Sequence, residues 1–346
     1  MATATSVIED DPIEMLYERG VTDGFPVVPP TRARVDRMLA GAPWRQRNEL
    51  IGILGPCLGK ATVEKVAINA VMAGCKPEYF PVVLAGVEGL CDLRLCAHGL
   101  SITLMSGAPL AIINGPVRRK IGLNCGHNAL GHGFRPNATI GRALRLVTMN
   151  IGGAKPHGVT KATMGHPGQY SFLVAEDEEA SPLVPLHMER GFKKEDSVVT
   201  LFGATGMQQL VDFASNSAER LVTTLGRTIG GGLLSYKDYP LMSDTVLVLG
   251  PEHANTIARD GWSKADVRNY LYENITRPPD EAGARASGRA AKWMTPDGAI
   301  RKFRSPDTIM IVVAGGTAGR FSVVIPGWVS EELEGSSPVS HLIRLE

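Results

Sequence analysis

The chain has no apolar run of the roughly 18 residues needed to cross a bilayer. Its N-terminus, Met-Ala-Thr-Ala-Thr-Ser-Val-Ile-Glu-Asp-Asp, lacks the basic and apolar regions of a secretory signal, and its early acids argue against a transit peptide. No membrane partner and a cytoplasmic location are the expectation. No excess of either charge exists: the formal net charge is +1, so a surface that neutralises many phosphates is not expected and neither is a nucleic-acid partner. The five cysteines (57, 75, 91, 96 and 125) contain no Cys-x-x-Cys pair, which reads as free thiols in a reducing compartment. Neither a Gly-x-Gly-x-x-Gly fingerprint nor a Walker loop is present, so a nucleotide cofactor has no motif to support it.

What is present is an ordinary globular composition, 44% apolar and 21% charged, on a chain long enough for more than one compact core. The expected fold class is α/β in two lobes. Residues 1–190 would form an α+β lobe with a long Gly-rich loop, and residues 191–346 an α/β lobe with a parallel or mixed sheet. Thr62 caps a helix over 63–73, a second helix covers 78–91, and 101–105 and 109–114 read as two buried strands. From 197 onward, apolar strands end in glycine turns and lead into helices, at Gly203-Ala-Thr-Gly206, Gly250-Pro-Glu-His253 and Gly315-Gly-Thr-Ala-Gly319. Ser263 and Asp266 form a capping box, and 278–304 reads as an excursion or a homo-oligomer contact.

The chemistry concentrates between 114 and 187. Asn137 is expected to open a helix whose free amides, with glycines at 126, 131 and 133, would draw in an anion. Arg142 and Arg145 lie three apart on that helix and would grip a carboxylate or phosphate, with Asn124 beside them. The bland alternative has both arginines pairing with the acidic run Glu176-Asp-Glu-Glu179. Cys125 is a candidate nucleophile, with His127 or His166 as base and Glu176 as acid or base. His127, His132 and His166 are alternatively the ligands of a divalent zinc or iron. The strand-end residues Gly203, Thr205, Gly316 and Arg320 would form the other wall of the substrate cleft. His253 occupies the same kind of strand end, where a simple turn histidine is the competing reading.

Three segments, Ala138-Thr-Ile-Gly-Arg-Ala-Leu-Arg-Leu146, Gly165-His-Pro-Gly-Gln-Tyr-Ser-Phe172 and Ala175-Glu-Asp-Glu-Glu-Ala-Ser-Pro182, resemble a group of bacterial hypothetical proteins. The resemblance extends to Gly250-Pro-Glu-His253 and Ala314-Gly-Gly-Thr-Ala-Gly-Arg-Phe-Ser322. Some members look like neighbours of small proteins with a Sec-Gly-Ser-Cys or Cys-Gly-Ser-Cys motif, which implies thiol or selenol redox chemistry. This chain has no Cys-Gly-Ser-Cys of its own, so that role requires a redox partner protein or another thiol arrangement. Three functional expectations follow. The first is an enzyme of hydrolytic or lyase type acting on a small anionic substrate. The second is an oxidoreductase component that works with a thiol or selenol partner through Cys57 or Cys125. The third is a ligand-binding or assembly protein without catalysis.

Overall fold

A computed structural model describes residues 11–232, 235–236, 239–240, 243–277, 294–330 and 335–345. Most of the expected oligomer-contact stretch, 278–293, lies outside the described residues. Numbering only the strands of the two large sheets, β1 is Ala108–Asn114, β2 Leu173–Ala175, β3 Val198–Ala204 and β4 Gln208–Val211. β5 is Thr245–Leu249, β6 Ile309–Val313, β7 Phe321–Pro326 and β8 Val339–Leu342. One sheet has the order β8-β3-β1-β2 and the other β6-β5-β7-β4. Both are mixed: β1 with β2 and β5 with β6 run parallel, and the other neighbours antiparallel.

The sequences of β5 (Thr-Val-Leu-Val-Leu) and β6 (Ile-Met-Ile-Val-Val) are apolar throughout because both strands are buried on both faces. Alternate side chains therefore serve different cores. From the first sheet, Ala111, Ile113, Val199 and Leu201 pack with helices α1 (Val63–Ala73), α2 (Phe80–Cys91) and α3 (Arg135–Asn150). From the second, Leu247, Leu249, Ile309 and Ile311 pack with α4 (Ala218–Gly232), α5 (Pro251–Arg259) and α6 (Lys264–Asn274). The remaining faces meet each other, Leu110, Ile112 and Phe202 against Val246, Val248, Met310 and Val312. The layers run helix, sheet, sheet, helix. The α/β class holds, while the division expected at residue 190 does not follow the sheets. β3 and β8 lie after it in sequence, yet both belong to the sheet of β1.

Local signals read well where a cap fixes an end. Thr62 accepts from the Lys65 amide at the start of α1, Gly74 closes that helix in the left-handed region, and the capping box of Ser263 and Asp266 opens α6. Two readings are corrected. Residues 97–102 form a helix, not the first of two strands: Ser101 donates back to the Ala97 carbonyl at 2.7 Å and Leu100 is buried in the core. Helix α3 begins at Arg135 behind Phe134, so Asn137 is not its cap.

β1, β2, β5 and β6 end on one side of the molecule. There the Asp177 amide donates to the Val313 carbonyl at 2.7 Å, and the Gly315 amide to the Cys125 carbonyl at 2.8 Å, joining the loops beyond both sheets.

Candidate functional site

At that end, beyond β5 and β6, lies a cleft of about 600 Å³. Its floor is apolar, from Val248, Val323, Phe321 and Met207, and Gln209 adds an amide. One rim is the turn of residues 314–319, and the other is loop 127–131, whose His127 ring stands so close to Gly316 that a Cβ there would meet Nδ1 at 2.1 Å. Gly250, which precedes α5, completes the mouth.

The turn has a distinctive hydrogen-bond account. The Gly315 amide is spent on Cys125, and the Gly319 amide on the Glu252 carboxylate at 2.8 Å. Between them, the amides of Gly316, Thr317 and Ala318 have no hydrogen-bond acceptor among the described residues. Gly315 and Gly319 take φ of +118° and +107°, left-handed backbone on either side of this run of amides, of which Gly316 and Ala318 line the cleft. The start of α5 lies alongside and adds its own partial positive charge.

The loop across the cleft is pinned by Asn137. Its Oδ1 accepts from the Asn124 amide at 2.9 Å and its Nδ2 donates to the Asn124 carbonyl at 2.8 Å. The Asn124 side chain in turn donates to the His127 carbonyl and accepts from the Gly126 amide. Both asparagines are thus occupied in shaping the loop, and neither is placed to hold a substrate. The entrance to α3 is correspondingly not an anion hollow: residues 131–135 are exposed and do not enclose a cavity with it.

Arg142 and Arg145 part company. Arg142 grips Asp23 with Nε at 2.8 Å and Nη2 at 2.7 Å, and also donates to the Phe25 and Pro26 carbonyls, so it clamps the proline-rich segment 25–30 to α3. Arg145 makes no hydrogen bond or ion pair with any described residue. Neither pairs with the acidic run. That run is met by cations the sequence reading passed over. Glu176, fully buried, accepts from Asn114 Nδ2 at 2.6 Å, the Leu186 amide at 2.8 Å and Lys264 Nζ at 3.2 Å. Glu178 takes the Gly115 amide and pairs with the buried Arg118 at 2.9 Å, while Glu179 pairs with Arg118 and Arg119. The guanidiniums of Arg119 and Arg118 hold the Glu179 carboxyl down at about 2. Glu176 is therefore a linchpin of the interior, outside the cleft lining, and not an acid or base poised at a substrate.

Cys125 and the histidines also separate. Burial first, then the Asp177 carboxylate, push the Cys125 thiol up, which opposes its use as a thiolate nucleophile. His166 accepts from the Gly168 amide at 3.1 Å and packs edge-on against Phe172, His132 is exposed, and among the described residues no three His, Cys, Asp or Glu side chains lie close enough to hold a metal ion. The zinc or iron set of His127, His132 and His166 is not assembled. Gly203 and Thr205 stand at the opposite end of the molecule. β3 runs antiparallel to β1, so its end meets Pro326 and Trp328. Arg320 borders the cleft turn but is committed to Glu252 at 3.4 Å and to the Phe213 and Ser215 carbonyls. His253 is buried, with Nε2 3.3 Å from the Asp212 carbonyl. A carbonyl only accepts, so Nε2 carries the proton and Nδ1 accepts from Ser322 Oγ at 2.7 Å. Burial lowers the pKa of that ring, and it ties α5 to β7 rather than opening on the cleft.

No family model matches the chain, and none of the curated proteins matches it. Of the expected wall residues Gly316 lines this cleft, and with it His127, the expected base or metal ligand. Met207, Gln209 and Phe321 were not anticipated. They carry no motif, and the pairing of β4 with β7 brings Gln209, Phe321 and the neighbouring Met207 to the cleft. Among the described residues, no helix is long and apolar enough to cross a membrane.

Proposed function

We propose that the protein is a small-molecule enzyme of hydrolytic or lyase type whose anionic substrate lies in the cleft beyond β5 and β6. A carboxylate or phosphate sits against the amides of Gly316, Thr317 and Ala318, and the rest of the substrate lies over Val248, Val323 and Phe321. His127 is the acid–base group, because imidazole is the side chain most used for proton transfer and this one stands beside the amide run. The observation that carries the reading is that run of unbonded amides at the mouth of a cleft of substrate size. Titration calorimetry with a panel of small carboxylates and phosphate monoesters tests it. Binding should be saturable in the wild type and lost in Gly316→Val, whose side chain enters the mouth. His127→Gln should keep binding and lose turnover of whichever ligand is processed. A panel that binds equally to Gly316→Val sinks the assignment.

A second reading has one observation in its favour: Cys57 is exposed, whereas Cys75 is buried with its thiol pushed up to about 12. A thiol or selenol redox partner would therefore meet Cys57. Alkylation of Cys57 that leaves partner-dependent reduction intact would remove that reading.

A further inference from the structure

The cleft beyond β5 and β6 offers an anion amides but no cation. Among the described residues that line it, His127 is the only ionisable side chain. Arg320, next along the turn, lies 3.4 Å from the Glu252 carboxylate and also donates to the Phe213 and Ser215 carbonyls, so the charges of Arg320 and Glu252 cancel. Glu252 takes the Gly319 amide and stands in the first turn of α5, where it already answers part of that helix's positive end. Pro251 brings no N–H to that turn, and the Ala254 amide donates to the Gly250 carbonyl at 3.0 Å. What remains for a ligand is the unbonded amides of residues 316–318 and a helix end worth at most roughly half a unit charge. A carboxylate carries a single negative charge. A phosphate monoester carries about 1.5 to 2 at neutral pH and is ordinarily met by arginine or lysine. The site matches the first and leaves the second under-neutralised.

The floor sets the rest of the ligand. Val248, Phe321 and Val323 lie there beside Met207 and Leu130. Met207 and Phe321 are 57% and 40% exposed, apolar area that a ligand would remove from water. The apolar strip continues past the mouth: Phe213 packs edge-on against Phe321 at 5.6 Å, and Val211 stands opposite Phe321 in register. Groups able to bind hydroxyls are scarce by comparison. Asn128 donates to the His132 carbonyl at 2.7 Å and Ser322 is bonded to His253 at 2.7 Å, so among the described lining residues Gln209 is the side chain with both a donor and an acceptor to offer. A polyhydroxylated ligand would bury hydroxyls with nothing to meet them.

We infer that the substrate is a monoanionic carboxylate on an extended apolar body, aliphatic or aryl, with at most one further polar group, met by Gln209. This rests on the cleft being the substrate site and narrows what that site takes: phosphate esters and sugar acids are poor ligands.

Titration calorimetry on the full chain compares matched pairs, 3-phenylpropionate with phenyl phosphate and hexanoate with gluconate. Each apolar carboxylate should bind at least about tenfold more tightly than its counterpart. Phe321→Ala should weaken 3-phenylpropionate about tenfold through lost apolar contact. Ala318→Arg, at an exposed position on the rim, supplies the missing cation and should raise the affinity for phenyl phosphate more than that for 3-phenylpropionate. A preference below about tenfold in either pair overturns the inference. If the binding then seen is lost in Gly316→Val, the cleft stands as the site and only its substrate class is wrong. Binding that survives Gly316→Val, or no binding of any probe, removes the cleft assignment and the inference with it.

Discussion

Two polar regions lie at the same end of the sheets, and they are built on opposite rules. In the cluster around Glu176, the charged groups are matched from inside: Lys264, Arg118 and Arg119 answer Glu176, Glu178 and Glu179, and backbone amides take the remaining oxygens. Across the joined loops, the turn of residues 314–319 leaves three successive amides unanswered at the mouth of a cleft. A carboxylate already holding two or three donors has little left to offer a substrate, however catalytic its residue type looks. An amide that no protein group answers must be met by water or a ligand. Satisfaction, more than chemical identity, separates scaffold from site here.

The largest effect should come from breaking the matched region. Lys264→Ala leaves Glu176 buried without its cation and should cost about 3–5 kcal/mol, read from urea unfolding. Its capping box is spared, since Ser263 and Asp266 make those bonds. A cost near zero would mean that Asn114 and Leu186 alone satisfy Glu176, and the contrast between the regions would weaken. Next comes Asp23→Ala, which frees Arg142 and releases the 25–30 segment. About 1–3 kcal/mol is expected for a part-buried charged pair, with faster proteolysis confined to the first 31 residues. Unchanged proteolysis would show that the backbone contacts of Arg142 suffice.

The sequence carried the frame because its strongest signals are local. Thr62, Gly74 and the Ser263–Asp266 pair announce helix ends within one turn, and unbroken apolar runs announce β5 and β6. The long-range partnerships were not legible. Lys264 looks like an exposed first-turn lysine, yet folding carries it to Glu176, 88 positions away, and Arg142 finds Asp23 across 119. Arg142 and Arg145 are indistinguishable by type and spacing, and only the placement of Asp23 makes one a clamp and leaves the other unmatched. The histidines fail to gather for the same reason: closeness in chain order around 125–166 says nothing about direction once α3 intervenes.

A smaller effect sits on the rim of the matched cluster. The Glu179 carboxyl is held near 2, below its ordinary 4.5, first by Arg119 and then by Arg118. A carboxyl depressed on folding contributes stability above the unfolded value and loses it as pH falls toward the folded one. The window is therefore pH 4.5 down to about 2. The side chain is 44% exposed, so solvent screening reduces the contribution to about 1 kcal/mol. Glu179→Gln should be less stable than the wild type at pH 6, and the two should converge at the acid end. Parallel curves would mean the arginines do not act on Glu179.

The smallest expected change in stability is at Gly316, and the sharpest contrast is with its neighbour in the same turn. Gly315 sits at φ +118°, where any side chain is strained, so Gly315→Ala should cost about 1–3 kcal/mol. Gly316 has no such constraint, and the three atoms nearest its added Cβ all belong to the ring of His127, an exposed side chain that can swing aside. Gly316→Val should therefore unfold within about 0.5 kcal/mol of the wild type while losing anion binding in the cleft. A matched region answers mutation with unfolding, and an unmatched one should answer with lost binding alone. If Gly316→Val instead destabilises as much as Gly315→Ala, the amides of the turn serve the fold, and the two regions obey one rule after all.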